Sequence, residues 1–506
     1  MNVPDLLQRR AQLSPHRLAL VDADSGGARL TYADWNVQVN RTAHFLADLG
    51  LARGERLAVL AYNSVAYLDV WFALNKLGAV LQNLNWRLTA AELHALIVDA
   101  APRVLLYDPE LAETLTPLRE MPLPEGMRFV SLGEPLSPGD VPFTLRERYP
   151  SQAPAAPPVG WDDPWVICYT GGTTGLPKGA VLSYQSMLAN AVNTIVSWGL
   201  SPDDRAILNA PLFHTGGLNV FTLPLVYLGG ASIVCRAFDV AQTFDLLTGG
   251  EATVFFGVPT MFIMMQNHPR WAQADFSHLK FVISGGAPCP QPVFERFWAK
   301  GVEFKTGYGL TEAGPNTFWL PAEQVKSKPG AVGYPLMHVE LRIAKEDSRD
   351  AAPGEVGELL IRGPHLFSGY WNNPQATAEA LRGGWLHTGD LAMRDADGCY
   401  TIMGRSKDML ISGGENVYPA EIESVLHGHP AVAETAVVGV PDPKWGEVPW
   451  AVVVLRPGAQ IDEDALRAFC AERLARYKTP RHFLFWDALP KTGANKVDKR
   501  AIAARL

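Results

Sequence analysis

The chain is expected to fold as an α/β protein: a large N-terminal domain of two α/β subdomains plus a β-rich subdomain, followed by a small α+β C-terminal domain. Three observations predict this. Strand-like and helix-like segments alternate up to about Asp99 and again after a proline-rich connector, the pattern of parallel sheets with crossover helices. Short glycine-separated strands then run from about Gly330 to Met403. After Gly404 the pattern becomes a compact mixture of helices and strands, so the large domain spans 1–403 and the small one 404–506.

Taken in order, Tyr32 to Leu49 is helix-patterned, Arg56 to Ala61 is an apolar strand, Ala66 to Leu77 a helix, Val80 to Leu84 a strand and Thr89 to Asp99 a helix. Five prolines between Tyr149 and Pro164 prevent regular structure and mark the connector, 149–164. A second α/β unit is expected after it, with strands at Trp165 to Tyr169, Ala231 to Cys235, Thr253 to Val258 and Lys280 to Ser284. The small domain reads as helix Pro419 to Leu426, strands Thr435 to Val440 and Trp450 to Leu455, helix Glu463 to Ala475 and strand His482 to Trp486.

With 506 residues, 47% of them hydrophobic, the chain can bury a large core. A net charge of −8 argues against a nucleic-acid binder, which carries a basic surface. The cysteines Cys168, Cys235, Cys289, Cys399 and Cys470 are odd in number and contain no C-x-x-C pair, so reduced thiols are expected rather than disulfides or zinc. The start, MNVPDLLQRR, lacks a signal-peptide pattern, and no apolar run reaches about 18 residues. A cytoplasmic enzyme follows, with no integral membrane segment; transient membrane contact and a homodimer are compatible with the sequence, which is silent on both.

The most informative stretch is YTGGTTGLPKGA, Tyr169 to Ala180. Gly171, Gly172 and Gly175 permit turns that aim successive N–H groups at one anion, Thr170, Thr173 and Thr174 add hydroxyl donors, and Lys178 adds charge. The loop is suited to a polyphosphate. It is not a Walker loop, which needs glycine directly before lysine and a hydroxyl after it; here Lys178 stands between Pro177 and Gly179.

In GYGLTE, Gly307 to Glu312, the single carboxylate beside a phosphate loop would repel a nucleotide unless a cation lay between, which makes Glu312 a candidate Mg2+ ligand and Thr311 a phosphate donor. Tyr308 offers a flat face for adenine, with Gly309 following it. Gly285, Gly286 and Ala287 offer close backbone approach on the other side. Asp390, ending GWLHTGD, can accept both ribose hydroxyls, and Arg405 of GRSKDML can meet ribose or phosphate.

These motifs, in this order and over nearly the whole chain, resemble the carboxylate-adenylating superfamily of acyl- and aryl-CoA synthetases, peptide-synthetase adenylation domains and luciferases, with fatty acyl-CoA ligases nearest. The resemblance implies ATP, Mg2+ and coenzyme A as partners, and a mobile C-terminal domain hinged at Lys407. It implies Lys496 as the adenylation lysine, although Asn495 stands where many members have glycine. Gly413 and Gly414 would line a pantetheine tunnel after rotation. Trp445, Tyr477, Lys478 and Arg481 would meet the CoA nucleotide, the aromatics stacking adenine and the cations meeting phosphate. Between Arg473 and Leu506 nine Lys and Arg face two acids, a field suited to anionic substrates.

The resemblance also places the acid pocket along PLFHTGGLNVFTL and its neighbours, with Phe213, His214, Asn219 and Val258 as lining; His214 either gates it or polarises the carboxylate. No charged residue stands between Arg205 and Arg236, which suits an apolar tail. Medium- or long-chain fatty acids lead, and benzoate or succinylbenzoate types come second. Amino acids are disfavoured because His214, not aspartate, follows Phe213. A P-loop-like NTPase or a silent nucleotide-binding protein remain the alternatives.

Overall fold

The computed structural model describes residues 2–24, 26–155, 157–170, 177–412, 415–492 and 496–506. Two large sheets dominate the N-terminal part. The eight-stranded sheet runs Gly369–Tyr370, Lys178–Ser183, Pro164–Thr170, Val80–Asn83, Arg56–Leu60, Val104–Tyr107, Arg128–Ser131 and Val141–Pro142. The seven-stranded sheet runs Phe304–Thr306, Phe281–Ser284, Val254–Gly257, Arg205–Leu208, Ala231–Val234, Leu18–Asp22 and Arg29–Thr31.

The expected strands and helices are present, but not as two successive blocks. Pro164–Thr170 follows the connector yet pairs in parallel with Val80–Asn83 of the first part. Leu18–Asp22 crosses in the other direction, pairing with Ala231–Val234. A sequence read segment by segment cannot register this exchange, because an apolar strand carries no mark of which sheet buries it.

Local chemistry sets the elements. Thr31 and Asp34 form a capping box at the start of helix Tyr32–Asp48, and Thr89 and Glu92 another at Ala90–Ala100. Helix Val65–Leu77 is capped by Ser64 and ends at Gly78 with φ 66°, a conformation that suits glycine. It is buried almost all round, including two charges. Asp69 accepts from the Trp35 indole at 2.8 Å and pairs with Arg146, while Lys76 Nζ lies 2.5 Å from Asp5 and 2.9 Å from Asn36 Oδ1. Pairing makes such burial tolerable.

A four-stranded antiparallel sheet, Glu340–Ala344, Val356–Arg362, Leu386–Arg394 and Tyr400–Arg405, follows. The C-terminal part has its own core, including Ile422, Val437, Val453 and Leu466, over a five-stranded sheet built on the Val432–Asp442 and Gly446–Leu455 hairpin. All five cysteines are free, and burial pushes the thiols of Cys168, Cys235 and Cys289 up to about 12, so they stay protonated and unreactive. Among the described residues no helix is long and apolar enough to cross a membrane.

Candidate active site

Strands Pro164–Thr170 and Lys178–Ser183 pair antiparallel, with Thr170 opposite Lys178. The glycine-threonine loop therefore joins two strands, where a Walker loop runs into a helix. Gly171, Gly172, Thr173, Thr174 and Gly175 lie outside the described residues, as do Gly413 and Gly414. The two ends of the loop are placed. Thr170 Oγ1 donates to Glu312 Oε1 at 3.2 Å, and Lys178 Nζ lies 5.1 Å from the Tyr370 ring centroid.

Tyr370 was not among the residues singled out from sequence. Its hydroxyl donates to the same Glu312 Oε1 at 2.9 Å, and its strand pairs with Lys178–Ser183. Burial and the Glu312 charge raise the Tyr370 pKa, so it remains a donor. Glu312 sits on the short turn Thr311–Ala313, held by the Phe367 N–H to Glu312 carbonyl bond at 2.9 Å. A Cβ at Gly309 would come within 2.2 Å of the Pro315 carbonyl oxygen, so a side chain there would displace this turn.

Asp390 and Arg405 are cross-strand partners. Arg405 Nε lies 2.5 Å from Asp390 Oδ1, and the Tyr308 hydroxyl donates to Oδ2. Burial raises the Asp390 pKa from the usual carboxylate range, opposed chiefly by Arg405, then by Tyr308 and Lys496; Tyr308 is raised well above its ordinary value by burial and the Asp390 charge. Tyr308 thus holds Asp390 through its hydroxyl as well as presenting a ring. A ribose reaching Asp390 must share or displace these partners.

Lys496 reaches this cleft from the C-terminal domain. Its side chain is solvent-accessible, yet enough protein surrounds it that desolvation, then Arg405, lower its pKa, against the pull of Asp390 and Glu312. His214 senses Lys496 and Arg87 and falls to about 4, burial being the larger cause. It is a neutral imidazole at neutral pH, so it has one N–H to give and no charge with which to polarise a carboxylate.

The Phe213 ring is nearly buried, 4.5 Å from His214 and 6.2 Å from Trp86, and the Arg87 guanidinium stacks 4.3 Å over Trp86. Asn219 is 1% exposed, and its Nδ2 donates to Thr215 at 3.1 Å. It sits at the end of the short helix Thr215–Asn219. Val258 lies beside Gly286, its side chain 3.6 Å from where a Gly286 Cβ would stand. Phe256, unremarked in the sequence, is half-buried with its ring edge 3.4 Å from a Gly216 Cβ position and 3.1 Å from that of Gly285. Both neighbours lack side chains there, so the ring stands between the short helix Thr215–Asn219 and the turn at Gly285.

Lys407 lies on the short turn Ser406–Asp408 after strand Tyr400–Arg405, with its pKa lowered by burial. Trp445 and Tyr477 are exposed. Lys478 is not a free cation, since Glu421 holds it at 2.7 and 2.8 Å. Arg473, Lys491 and Lys499 are likewise paired, with Glu472, Glu434 and Glu423. The basic excess of the last segment is therefore partly neutralised by acids from earlier in the small domain, and the expected field is weaker than counting charges along the segment implies.

Among the described residues no group of three His, Cys, Asp or Glu could hold a metal. Glu312, with its free carboxylate lone pairs beside Thr170 and the loop, fits a hard cation that brings most of its oxygen ligands with it as phosphate and water, as Mg2+ does.

The model of the AMP-binding enzyme family matches residues 7–371, and that of the AMP-binding enzyme C-terminal domain matches 421–496. A feruloyl-CoA synthase from an Amycolatopsis species is 42% identical over 98% of this chain and 97% of its own. An indoleacetate–CoA ligase from Aromatoleum aromaticum is 38% identical over 100% of this chain and 99% of its own. The crystal structure of ATP-bound MatB from Rhodopseudomonas palustris superimposes with a TM-score of 0.90 at 34% identity, covering 100% of this chain and 99% of that one. The convergence of loop, carboxylates and lysine, together with these matches, means that the chain belongs to the AMP-binding enzyme family, as an AMP-forming acyl-CoA synthetase working with ATP, Mg2+ and coenzyme A.

Proposed function

We propose that the enzyme activates a flat aryl or arylalkenoic acid as its acyl-adenylate and passes the acyl group to coenzyme A. The observation that carries the choice of acid is the half-buried Phe256 ring, which packs closely against both Gly216 and Gly285 and offers an aromatic surface beside them. Such a surface favours an offset-stacked or edge-on ring. The feruloyl- and indoleacetate-specific names of two relatives support the same class. A fatty acid is the second reading, favoured by the uncharged run between Arg205 and Arg236 and by the apolar cavity under Phe256 that Ile207, Val220 and Phe221 border.

In the first half-reaction the acid carboxylate attacks the α-phosphate of ATP and pyrophosphate leaves. Lys496 neutralises the charge growing at the α-phosphate, the preorganised role that lowers such barriers most. Asp390 orients the ribose, steadied by Tyr308 and Arg405. Thr170, Thr311, Lys178 and the glycine-threonine loop between Thr170 and Lys178 hold the phosphates, and Tyr370 fixes Glu312. Glu312 would hold Mg2+, whose positive charge would ease the departure of pyrophosphate.

In the second half-reaction the small domain turns about Lys407, withdrawing Lys496 and presenting Gly413 and Gly414 to the pantetheine arm. The thiol sulfur attacks the mixed anhydride and AMP leaves. No enzyme nucleophile takes part. His214, neutral, stands between pocket and thiol path as gate and single hydrogen-bond partner. Trp445, Tyr477 and Arg481 contact the CoA nucleotide, Lys478 only if it exchanges Glu421 for phosphate. The two domains divide near residue 404. The enzyme works in the cytoplasm on small-molecule substrates.

Carboxylate-dependent exchange of pyrophosphate into ATP, run over cinnamic-type, indolyl, fatty and amino acids, tests this. Exchange driven best by planar aryl acids, followed by CoA-dependent AMP release, is expected. Exchange driven only by fatty acids would move the substrate to the second reading.

A further inference from the structure

A second basic site lies away from the adenylate cleft, at the seam between the large and small domains. A cavity of about 50 Å3 is bordered on one side by helices Pro259–Asn267 and Gln291–Trp298, and on the other by His427, Ala433 and Arg456 of the small domain. Its titratable lining groups are all basic: Arg296, Arg456 and His427. Arg296 is fixed, its Nη2 donating to the Gln266 carbonyl at 2.7 Å and its guanidinium 5.3 Å from the Trp271 ring centroid. Among the described residues Arg456 has no carboxylate within ion-pair distance.

The acids nearest His427 are already engaged. Glu423 pairs with Lys499 at 2.6 Å and accepts from the Val437 N–H at 2.8 Å, and Glu434 pairs with Lys491 at 3.1 Å. Two guanidinium groups from separate domains therefore face one small cavity with no counter-charge, and like charges brought together this way oppose the contact. Burial and the neighbouring Arg456 together lower the Arg296 pKa, as that opposition requires. The arrangement that joins them is the one in which Lys496 senses Asp390 and Glu312.

The geometry points to a binding site for a phosphate-class oxyanion between Arg296 and Arg456, which clamps the small domain in the adenylate-forming arrangement. The volume suits it, holding roughly three to five waters' worth of space and so one small oxyanion but no nucleotide. Guanidinium groups pair with such oxygens in fork geometry. The anion is either inorganic phosphate or the pyrophosphate released in the first half-reaction. The binding rests on the cavity alone, while the clamping rests on the two-arrangement reading given above.

The test is calorimetric titration of the full chain with inorganic phosphate, and separately with pyrophosphate, at ionic strength held constant with chloride. Wild type is compared with Arg456→Gln and Arg296→Gln. In parallel, adenylation is read by hydroxylamine trapping and thioester formation from supplied acyl-adenylate. Binding that Arg456→Gln abolishes is expected. Phosphate should slow thioester formation at least about fivefold in wild type, the low end of ordinary coupling between sites, and leave both variants unchanged. Binding that survives both substitutions belongs to the ATP or CoA site and overturns the proposal. Binding that the variants lose while thioester formation never responds overturns the clamp.

Discussion

Tyr370 and Thr170 donate to one and the same oxygen of Glu312, at 2.9 and 3.2 Å, from two different strands of the eight-stranded sheet. The carboxylate is thereby aimed before any nucleotide arrives, and Oε2 is left for a cation. Tyr370→Phe removes one donor and keeps the ring under Lys178. Adenylation should fall about tenfold, the scale of one hydrogen bond to a charged group, and the Mg2+ concentration for half-maximal rate should rise. An unchanged Mg2+ titration would leave Tyr370 a packing residue.

Asp390→Asn keeps the shape but removes the acceptor charge that Arg405 and Tyr308 flank. The KM for ATP should rise at least tenfold, while the KM for the acid stays within about twofold, because an amide replaces one of two charge-assisted hydrogen bonds worth about 1.5–3 kcal/mol each. Initial-rate kinetics with each substrate varied in turn decide it.

Lys496→Ala should slow adenylate formation by roughly a hundredfold or more, the cost of one transition-state donor, and spare thioester formation from supplied acyl-adenylate. Equal loss in both steps would mean that Lys496 acts structurally or in both arrangements.

Phe256→Ala opens the acid pocket toward the cavity bordered by Ile207, Val220 and Phe221. Aryl acids should lose about 1–2 kcal/mol of transition-state binding, or five- to thirtyfold in kcat/KM, while longer aliphatic acids gain in relative rate. Phe256→Leu should fall between. A uniform drop for all acids would remove Phe256 from specificity.

His365 is 1% exposed, neither ring nitrogen has a partner among the described residues, and burial lowers its pKa to about 4. The unfolded chain takes a proton near pH 6.5 and the native chain only near 4, so stability is full above about 6.5 and is lost as pH falls toward 4. His214 titrates over the same window. Each contributes a slope of about 1.4 kcal/mol per pH unit. Urea denaturation between pH 7 and 4.5 should show a shallower loss for His365→Leu than for wild type; identical slopes would contradict the burial argument.

What the sequence by itself determined is the chemistry that must be local. A loop that cradles phosphate needs glycine, hydroxyl and cation within a few residues, and capped helices and apolar strands announce themselves in the same short range. The loop, Glu312, Asp390 and Arg405 could be singled out as candidates for that reason, and Lys496 only through the family resemblance. Only the tertiary structure decided which strands share a sheet, that Tyr370 holds Glu312 from 58 residues away and Tyr308 holds Asp390 from 82. It alone buried Asn219, paired Lys478 with Glu421, and packed Phe256 against Gly216 and Gly285. Such outcomes depend on the packing of distant surfaces and on which charges find partners, and neither quantity is written in neighbouring residues.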